Sequence, residues 1–369
     1  MKKLAICIPN YNRVELFRNL LQRLLFQIKD SEYKEIIEIC ISDDGSDIDI
    51  TDEINSVISD NPDIRIKFYR FAKNTGLMNN LISSVEMSEA EYCWVIGNDD
   101  DLFGTSTLDT VIDTLSILKP DVLAFPICQR TNNIDTMVYP TKRNLESRLF
   151  EFSIEEDFKL WFNNIDEKER QGNILGMFIF ISNLVFKKSN WDKHSHECDW
   201  DRNSLFHQAY IHLKTLMRGG VLYYYENPLV VQNANFYIHE VMCKRVLYSY
   251  SIMNDMCDYI SYFFDGEMER RFLNQFCFYQ YYGIVIDSEE LNDDKKKRVK
   301  EINAEPIAVL NRIFLPTNEL YRLNGKNVLL FGSGDYGNIA MEKFKANGIA
   351  PAYYIDNDCN KHGRFINGI

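Results

Sequence analysis

Three consecutive carboxylates, Asp99-Asp100-Asp101, follow Gly97-Asn98 at the end of the apolar run Trp94-Val95-Ile96. Adjacent carboxylates repel one another. A divalent cation relieves that repulsion, and an oxygen-only ligand set suits Mg²⁺ or Mn²⁺. Such a cation bridges a diphosphate and stabilises it as a leaving group. A solvated acidic turn is the plainer alternative. A second acidic segment, Ser42-Asp43-Asp44-Gly45-Ser46-Asp47, also follows an apolar run. Its carboxylates can accept hydrogen bonds from a base N–H or from ribose hydroxyls, or the segment can open a helix. Cys7-Ile8-Pro9-Asn10-Tyr11-Asn12-Arg13 is a third candidate. A turn with Pro and two Asn bends the chain and leaves backbone groups for a nucleobase, and the planar guanidinium of Arg13 suits phosphate. An ordinary strand-to-helix turn is the alternative there. The fourth is Lys73-Asn74-Thr75-Gly76, with Asn79 and Asn80 at the next helix start. Amide groups and helix N–H groups at that place meet ribose or phosphate, unless they only cap the helix.

The elements around these segments put them on one edge. Leu4–Ile8 reads as a short buried strand and 15–28 as a helix through Leu16, Leu20, Leu24 and Ile28. Strands follow at 36–42, 64–71, 92–96 and 122–126, with helices at 51–59, 79–87 and 107–118. Repeated alternation of this kind predicts an α/β fold with a mainly parallel sheet flanked by helices. Ligands of such sheets bind beyond the carboxyl ends of the strands, where the acidic segments fall. Residues 127–240 are less regular. Buried strands are expected within 175–186, a polar loop at 194–203, a helix at 204–217 ending at Gly219-Gly220, and a strand at 221–225. Residues 241–315 read as three helices rich in Tyr and Phe. The last segment holds a strand, Gly332-Ser333-Gly334-Asp335-Tyr336-Gly337, a helix, and a strand ending at Asp356. That is one Rossmann-like βαβ unit, short of a full dinucleotide crevice.

Composition narrows the classes. The 369 residues are 46% hydrophobic and 26% charged, which is globular and long enough for two or three domains. A net charge of -13 disfavours nonspecific nucleic-acid binding. The nine cysteines are scattered without a CxxC pair, so a disulfide framework is not expected. The apolar run after Met1-Lys2-Lys3 stops at Pro9, too short for a signal peptide or a membrane span. The expectation is a cytoplasmic protein, with peripheral contact at the inner membrane face left open.

The four segments, in their order and separation, resemble the family 2 glycosyltransferases, which have the GT-A fold. The match runs through Ile8-Pro9-Asn10-Tyr11-Asn12-Arg13, Asp43-Asp44-Gly45-Ser46-Asp47, Asn74-Thr75-Gly76 and the DxD-like Asp99-Asp100-Asp101. It looks closest to the branch that includes abequosyltransferases of bacterial surface-polysaccharide synthesis. The resemblance implies a nucleotide-sugar donor with UDP or dTDP, inversion at the anomeric carbon, and Mg²⁺ or Mn²⁺ at Asp99 and Asp101. It implies donor contacts from Pro9, Tyr11, Arg13, Asp43, Asp44, Asn74, Gly76, Asp99 and Asp100. Asp44 matches the family's nucleoside-binding acid. The family carries Glu-Asp at the start of the helix before the last sheet strand, where the Asp deprotonates the acceptor. This sequence has His207-Gln208 there. His207 suits proton abstraction near neutral pH, and Asp199, Asp201 and Glu197 lie just upstream.

Two further patterns have a plainer reading beside the chemical one. His194, His196 and Cys198 have a metal-like spacing, but no second ligand cluster accompanies them. Trp191, Trp200 and Phe206 suit either a sugar platform or the core. The expected organisation is a GT-A domain over 1–240, a helical region over 241–320 and a partial Rossmann-like unit over 321–369. The expected activity is metal-dependent transfer of a sugar to a hydroxyl of a surface glycan or lipid-linked oligosaccharide. A nucleotidyltransferase is disfavoured, because residues 9–13 contain no Gly and one Arg. A donor-binding module that lacks the base is the other competitor.

Overall fold

The computed structural model describes residues 2–131, 134–138, 146–168, 177–178, 180–196, 207–233, 328–331, 341, 344–345 and 348–355. The chain divides into two units, Met1–Phe263 and Phe264–Ile369. The expected 241–320 helical region lies outside the described residues.

The first unit is built on β1 (Leu4–Asn10), buried along its whole length. An unbroken apolar run of this kind belongs to a strand covered on both faces. Leu4, Ile6 and Ile8 point into a core shared with α1 (Val14–Asp30), α2 (Thr51–Asp60) and α4 (Thr107–Leu118). Side chains alternate along a strand, so Ala5 and Cys7 face the other way, the side on which α3 (Leu77–Glu86) packs against β1. Cys7 sits level with Cys40 of β2 (Ile37–Asp43), and Ala5 level with Cys93 of β4 (Tyr92–Val95). The three thiols are buried and free, acting as small apolar spacers.

The main sheet has eight strands in the order β3-β2-β1-β4-β10-β6-β11-β9. β3 is Arg65–Arg70, β6 Val122–Ala124, β9 Arg148–Glu151, β10 Leu184–Lys187 and β11 Val221–Tyr224. Strands β1 to β4 run parallel, β11 runs parallel to β6, and β10 and β9 run against their neighbours. A smaller sheet has the order β5-β12-β7-β8, from Asp100–Leu102, Val230–Asn233, Ile127–Thr131 and Ile134–Val138. Helix α5 (Glu155–Lys168) precedes β10, α6 (Lys188–Ser195) follows it, and α7 (His207–Met217) leads into β11.

Four expectations change. The acidic segment is not a plain turn, because Asp100–Leu102 pairs antiparallel with β12. The apolar stretch before β10 is not continuous strand: Met177 and Phe178 are helical, and Ile181–Asn183 is a 3-10 turn. The start of the expected 194–203 loop is helix instead, the end of α6. Pro9 lies within β1 and does not end it. Beside it β1 pairs only with β2, since the β4 pairing stops at Cys7, and a strand tolerates a proline where one side is unpaired. In the second unit, β13 (Leu329–Phe331) pairs parallel with β14 (Tyr353–Ile355), and Val328, Phe344 and Ile349 pack together. The glycine motif at 332–337 lies outside the described residues.

Candidate active site

Three loops meet at the carboxyl ends of β1, β2 and β4, and Asn10 holds them together. Its Nδ2 donates to Asp43 Oδ1 at 2.7 Å, and its Oδ1 accepts from Asn98 Nδ2 at 2.8 Å. Its carbonyl accepts the Asp44 N–H at 2.9 Å and Asn80 Nδ2 at 2.8 Å. Asn10 is fully buried, so each of these bonds forms away from competing water. Asn80, expected to face a ligand, is used inside the scaffold.

Asp43 is likewise structural. It accepts from Asn10, from Ser46 and from the Arg70 guanidinium, and Arg70 also donates to the Ser46 carbonyl at 2.7 Å. Asp44 builds the next loop. Its Oδ1 accepts the Thr75 N–H and hydroxyl, both at 2.7 Å, and its Oδ2 accepts the Gly76 N–H at 3.0 Å. Asn74, exposed, accepts the same Gly76 N–H at 3.0 Å. A carboxylate offers about four lone-pair directions, so Asp44 keeps one acceptor direction on Oδ2. Gly45 lets the two loops touch: its φ is +65°, and a Cβ there would lie 2.8 Å from the Lys73 carbonyl carbon.

Above this floor the β1–α1 turn is strained. Asn12 and Arg13 both have φ of 53°, in the left-handed region. Asn12 is held there by its N–H to Ser46 Oγ at 2.8 Å, by Asp47 N–H to its Oδ1 at 2.9 Å, and by Asn98 Nδ2 to its carbonyl at 3.0 Å. The turn leaves Tyr11 exposed and aims Arg13 at Asp99, with Nη1 to Oδ2 at 2.6 Å. Pro9 is buried beneath it.

The three carboxylates divide by position. Asp100 is buried and accepts from Ser182 Oγ. Burial pushes its carboxyl well above the usual carboxylate range, and the Asp99 charge adds to this. The Ser182 hydroxyl and Arg13 pull the other way. Asp99 and Asp101 are partly exposed and meet cations. Asp101 Oδ1 lies 3.5 Å from Arg23 Nε and Oδ2 3.9 Å from Arg130 Nη1. Among the described residues, no three His, Cys, Asp or Glu side chains gather as a closed metal cage. A magnesium-type site does not need one, since it takes one or two carboxylates and completes its shell with phosphate oxygens and water. The hard oxygen donors of Asp99 and Asp101 fit that kind of ion.

His207 is the first residue of α7, buried, with its ring edge-on to Trp191 at 6.1 Å between centroids. His212 packs on Phe186 at 4.7 Å, and burial lowers its pKa to about 3. Trp191 is buried and stacked on Phe186 at 5.1 Å, so it belongs to the core and not to a sugar platform. Glu197, Cys198, Asp199, Trp200, Asp201 and Phe206 lie outside the described residues. His194 is buried in the last turn of α6. Sequence reasoning missed Arg70, Asn98, Ser182 and Arg23 and passed over Asn10. Asn10 and Asn98 sat inside segments already singled out. Nothing in the sequence marks Ser182.

The Glycosyl transferase family 2 profile matches residues 5–190, half of the chain, from β1 through the acidic segment to α6. The chain belongs to glycosyl transferase family 2. It falls in the branch that resembles abequosyltransferases, being 30% identical over 241 residues to abequosyltransferase RfbV of Salmonella typhimurium LT2. That alignment covers 62% of this chain and 66% of the relative. The fold is GT-A. S. aureus TarS 1–349 in complex with UDP superposes with a TM-score of 0.54 at 12% identity, covering 100% of this chain and 99% of that one. The TarS 1–349 complex with UDP-GlcNAc gives 0.55 at 13%, covering 94% and 92%. Against the longer TarS chain, the match spans 50% of that protein. Among the described residues no helix is long and apolar enough to cross a membrane.

Proposed function

We propose that this family 2 protein is an inverting, metal-dependent glycosyltransferase. It moves a sugar from a nucleoside-diphosphate-sugar, with UDP or dTDP as the nucleotide, to a hydroxyl of a bacterial surface glycan or lipid-linked oligosaccharide. The observation that carries this reading is the convergence of three loops on Asn10, with Asp44, Arg13 and the Asp99–Asp101 segment at one sheet edge. Family membership supports it, as do the nucleotide and nucleotide-sugar bound in the TarS complexes.

Asp44 and the loop it fixes at Asn74-Thr75-Gly76 border the nucleoside, with Tyr11 beside it. Arg13 turns from Asp99 to the diphosphate. Asp99 and Asp101 would hold Mg²⁺ or Mn²⁺, which when bound supplies positive charge to the departing diphosphate. His207 at the head of α7, or Asp199 or Asp201 before it, takes the proton from the acceptor hydroxyl, whose oxygen then attacks the anomeric carbon. Positioning and charge stabilisation supply most of the rate. The second unit, in which β13 pairs with β14, has no assigned part in this step.

Product analysis tests the reading. Incubation of the full chain with UDP- or dTDP-sugars and a lipid-linked oligosaccharide or surface-glycan acceptor should release nucleoside diphosphate. Release of pyrophosphate from a nucleoside triphosphate and a sugar phosphate would instead identify a nucleotidyltransferase. Donor binding without turnover on any acceptor would identify a binding module.

A further inference from the structure

Ser182 lies in the 3-10 turn Ile181–Asn183 that precedes β10, and it is fully buried. The turn is anchored on two sides. The Phe125 N–H donates to the Asn183 carbonyl at 3.2 Å, and Asn183 Nδ2 donates to the Phe125 carbonyl at 3.3 Å. The Trp94 indole N–H donates to the Ser182 carbonyl at 2.8 Å. These bonds fix the place from which the Ser182 hydroxyl reaches the acidic segment, more than 80 residues away in sequence. There Oγ accepts the Gly97 N–H at 2.9 Å and donates to Asp100 Oδ2.

A hydroxyl both accepts and donates, which lets one small side chain hold a backbone N–H and a carboxylate together. The segment it grips is tightly folded. A Cβ on Gly97 would lie 3.0 Å from an Asp100 carboxylate oxygen and 3.1 Å from one of Asp99. With Asp100 drawn inward, strand alternation turns Asp101 outward. Asp99 stays partly exposed and pairs with Arg13.

The geometry points to Ser182 as the positioning residue of the acidic segment: by gripping Gly97 and Asp100 it presents Asp99 and Asp101 to the diphosphate end of the donor. This rests on the donor-site reading above. The test uses the full chain with Ser182→Ala and the volume-matched Ser182→Cys. One arm follows hydrogen exchange of the 95–102 segment. The other measures UDP and dTDP affinity by calorimetry with Mn²⁺ and with EDTA. In both variants, exchange at 97–101 should rise about tenfold while the rest of the unit is unchanged. Affinity with Mn²⁺ should weaken about tenfold, or 1.4 kcal/mol, with affinity in EDTA unaltered. Exchange and Mn²⁺-supported affinity within twofold of wild type would overturn the inference. So would an equal loss with and without Mn²⁺, which means general loosening. Should Ser182→Ala fail to fold, Ser182→Cys carries the test. Absence of nucleotide binding by the wild type counts against the donor reading itself, and the exchange arm still decides whether Ser182 holds the segment.

Discussion

Asn98→Asp changes one atom type and should be among the most damaging conservative substitutions in this protein. Asn98 is buried, and its Nδ2 faces three oxygens: Asn10 Oδ1 at 2.8 Å, the Asn12 carbonyl at 3.0 Å and the Tyr11 carbonyl at 3.4 Å. An aspartate offers no donor to any of them and adds a fourth carboxylate beside Asp99, Asp100 and Asp101. Each buried acceptor left unsatisfied costs about 1–3 kcal/mol. The two shorter bonds alone therefore predict a loss of about 3 kcal/mol. That is a large part of the roughly 5–15 kcal/mol that holds a domain folded. Asn55→Asp, on the exposed face of α2, adds the same charge and should change stability by no more than about 0.5 kcal/mol. Urea denaturation of the full chain compares the two midpoints. A loss below about 1 kcal/mol for Asn98→Asp, or equal losses for both variants, refutes the claim that this amide ties the acidic segment to the β1 turn.

Asp44→Asn sets an NH₂ group against one backbone N–H donor, that of Gly76 or that of Thr75 according to how the amide turns, and should cost about 2 kcal/mol as well as nucleotide binding; calorimetry with UDP and dTDP reads the second effect. Gly45→Ala should cost more than about 1 kcal/mol, since the added carbon meets Lys73 backbone at 2.8 Å in a left-handed conformation; a thermal melt decides it. Burial lowers the His212 pKa to about 3, below the unfolded value near 6.5. The unfolded chain then binds the extra proton between those limits. The stability from this group is complete above pH 6.5 and falls by about 1.4 kcal/mol per unit as pH drops toward 3. His212→Leu should remove that slope, and a gap between the two melting temperatures that stays constant from pH 7 to 4.5 contradicts the assignment.

The alternating half of the fold was legible because its signals are local. Runs such as Leu4–Ile8, and the helical spacing of 107–118, carry their own periodicity and burial. Elements defined by a distant partner were not. Asp100–Leu102 looks like a polar turn until Val230–Asn233 arrives to pair with it. Helix α6, Lys-Ser-Asn-Trp-Asp-Lys-His-Ser, buries little more than Trp191 and His194, and its polar sequence hides it. The site divides in the same way. Arg70 and Arg23, single charges within a strand and a helix, did not stand out. Runs of adjacent carboxylates advertise themselves by charge, so Asp44 and Asp99–Asp101 stood out, and Arg13 with the turn that carries it. Which of them faces inward did not: Asp43 is locked by Arg70 and Asp100 by Ser182. Neutral polar residues such as Asn10 and Ser182 gain meaning only from what they bond, and those partners are fixed by the tertiary fold.

The central claim is a metal-supported nucleotide-sugar site at the carboxyl edge of β1, β2 and β4. The most direct measurement is a thermal-shift panel of UDP-, dTDP-, GDP- and CDP-sugars, each with Mn²⁺ and with EDTA, on wild type and Asp101→Ala. A ligand that binds the native state raises the melting temperature by mass action. The account predicts a shift with a UDP- or dTDP-sugar that is larger with Mn²⁺ than with EDTA and that falls to the EDTA level in Asp101→Ala. A shift as large in EDTA as with Mn²⁺, or as large in Asp101→Ala as in wild type, or no shift with any of the four nucleotides, contradicts it.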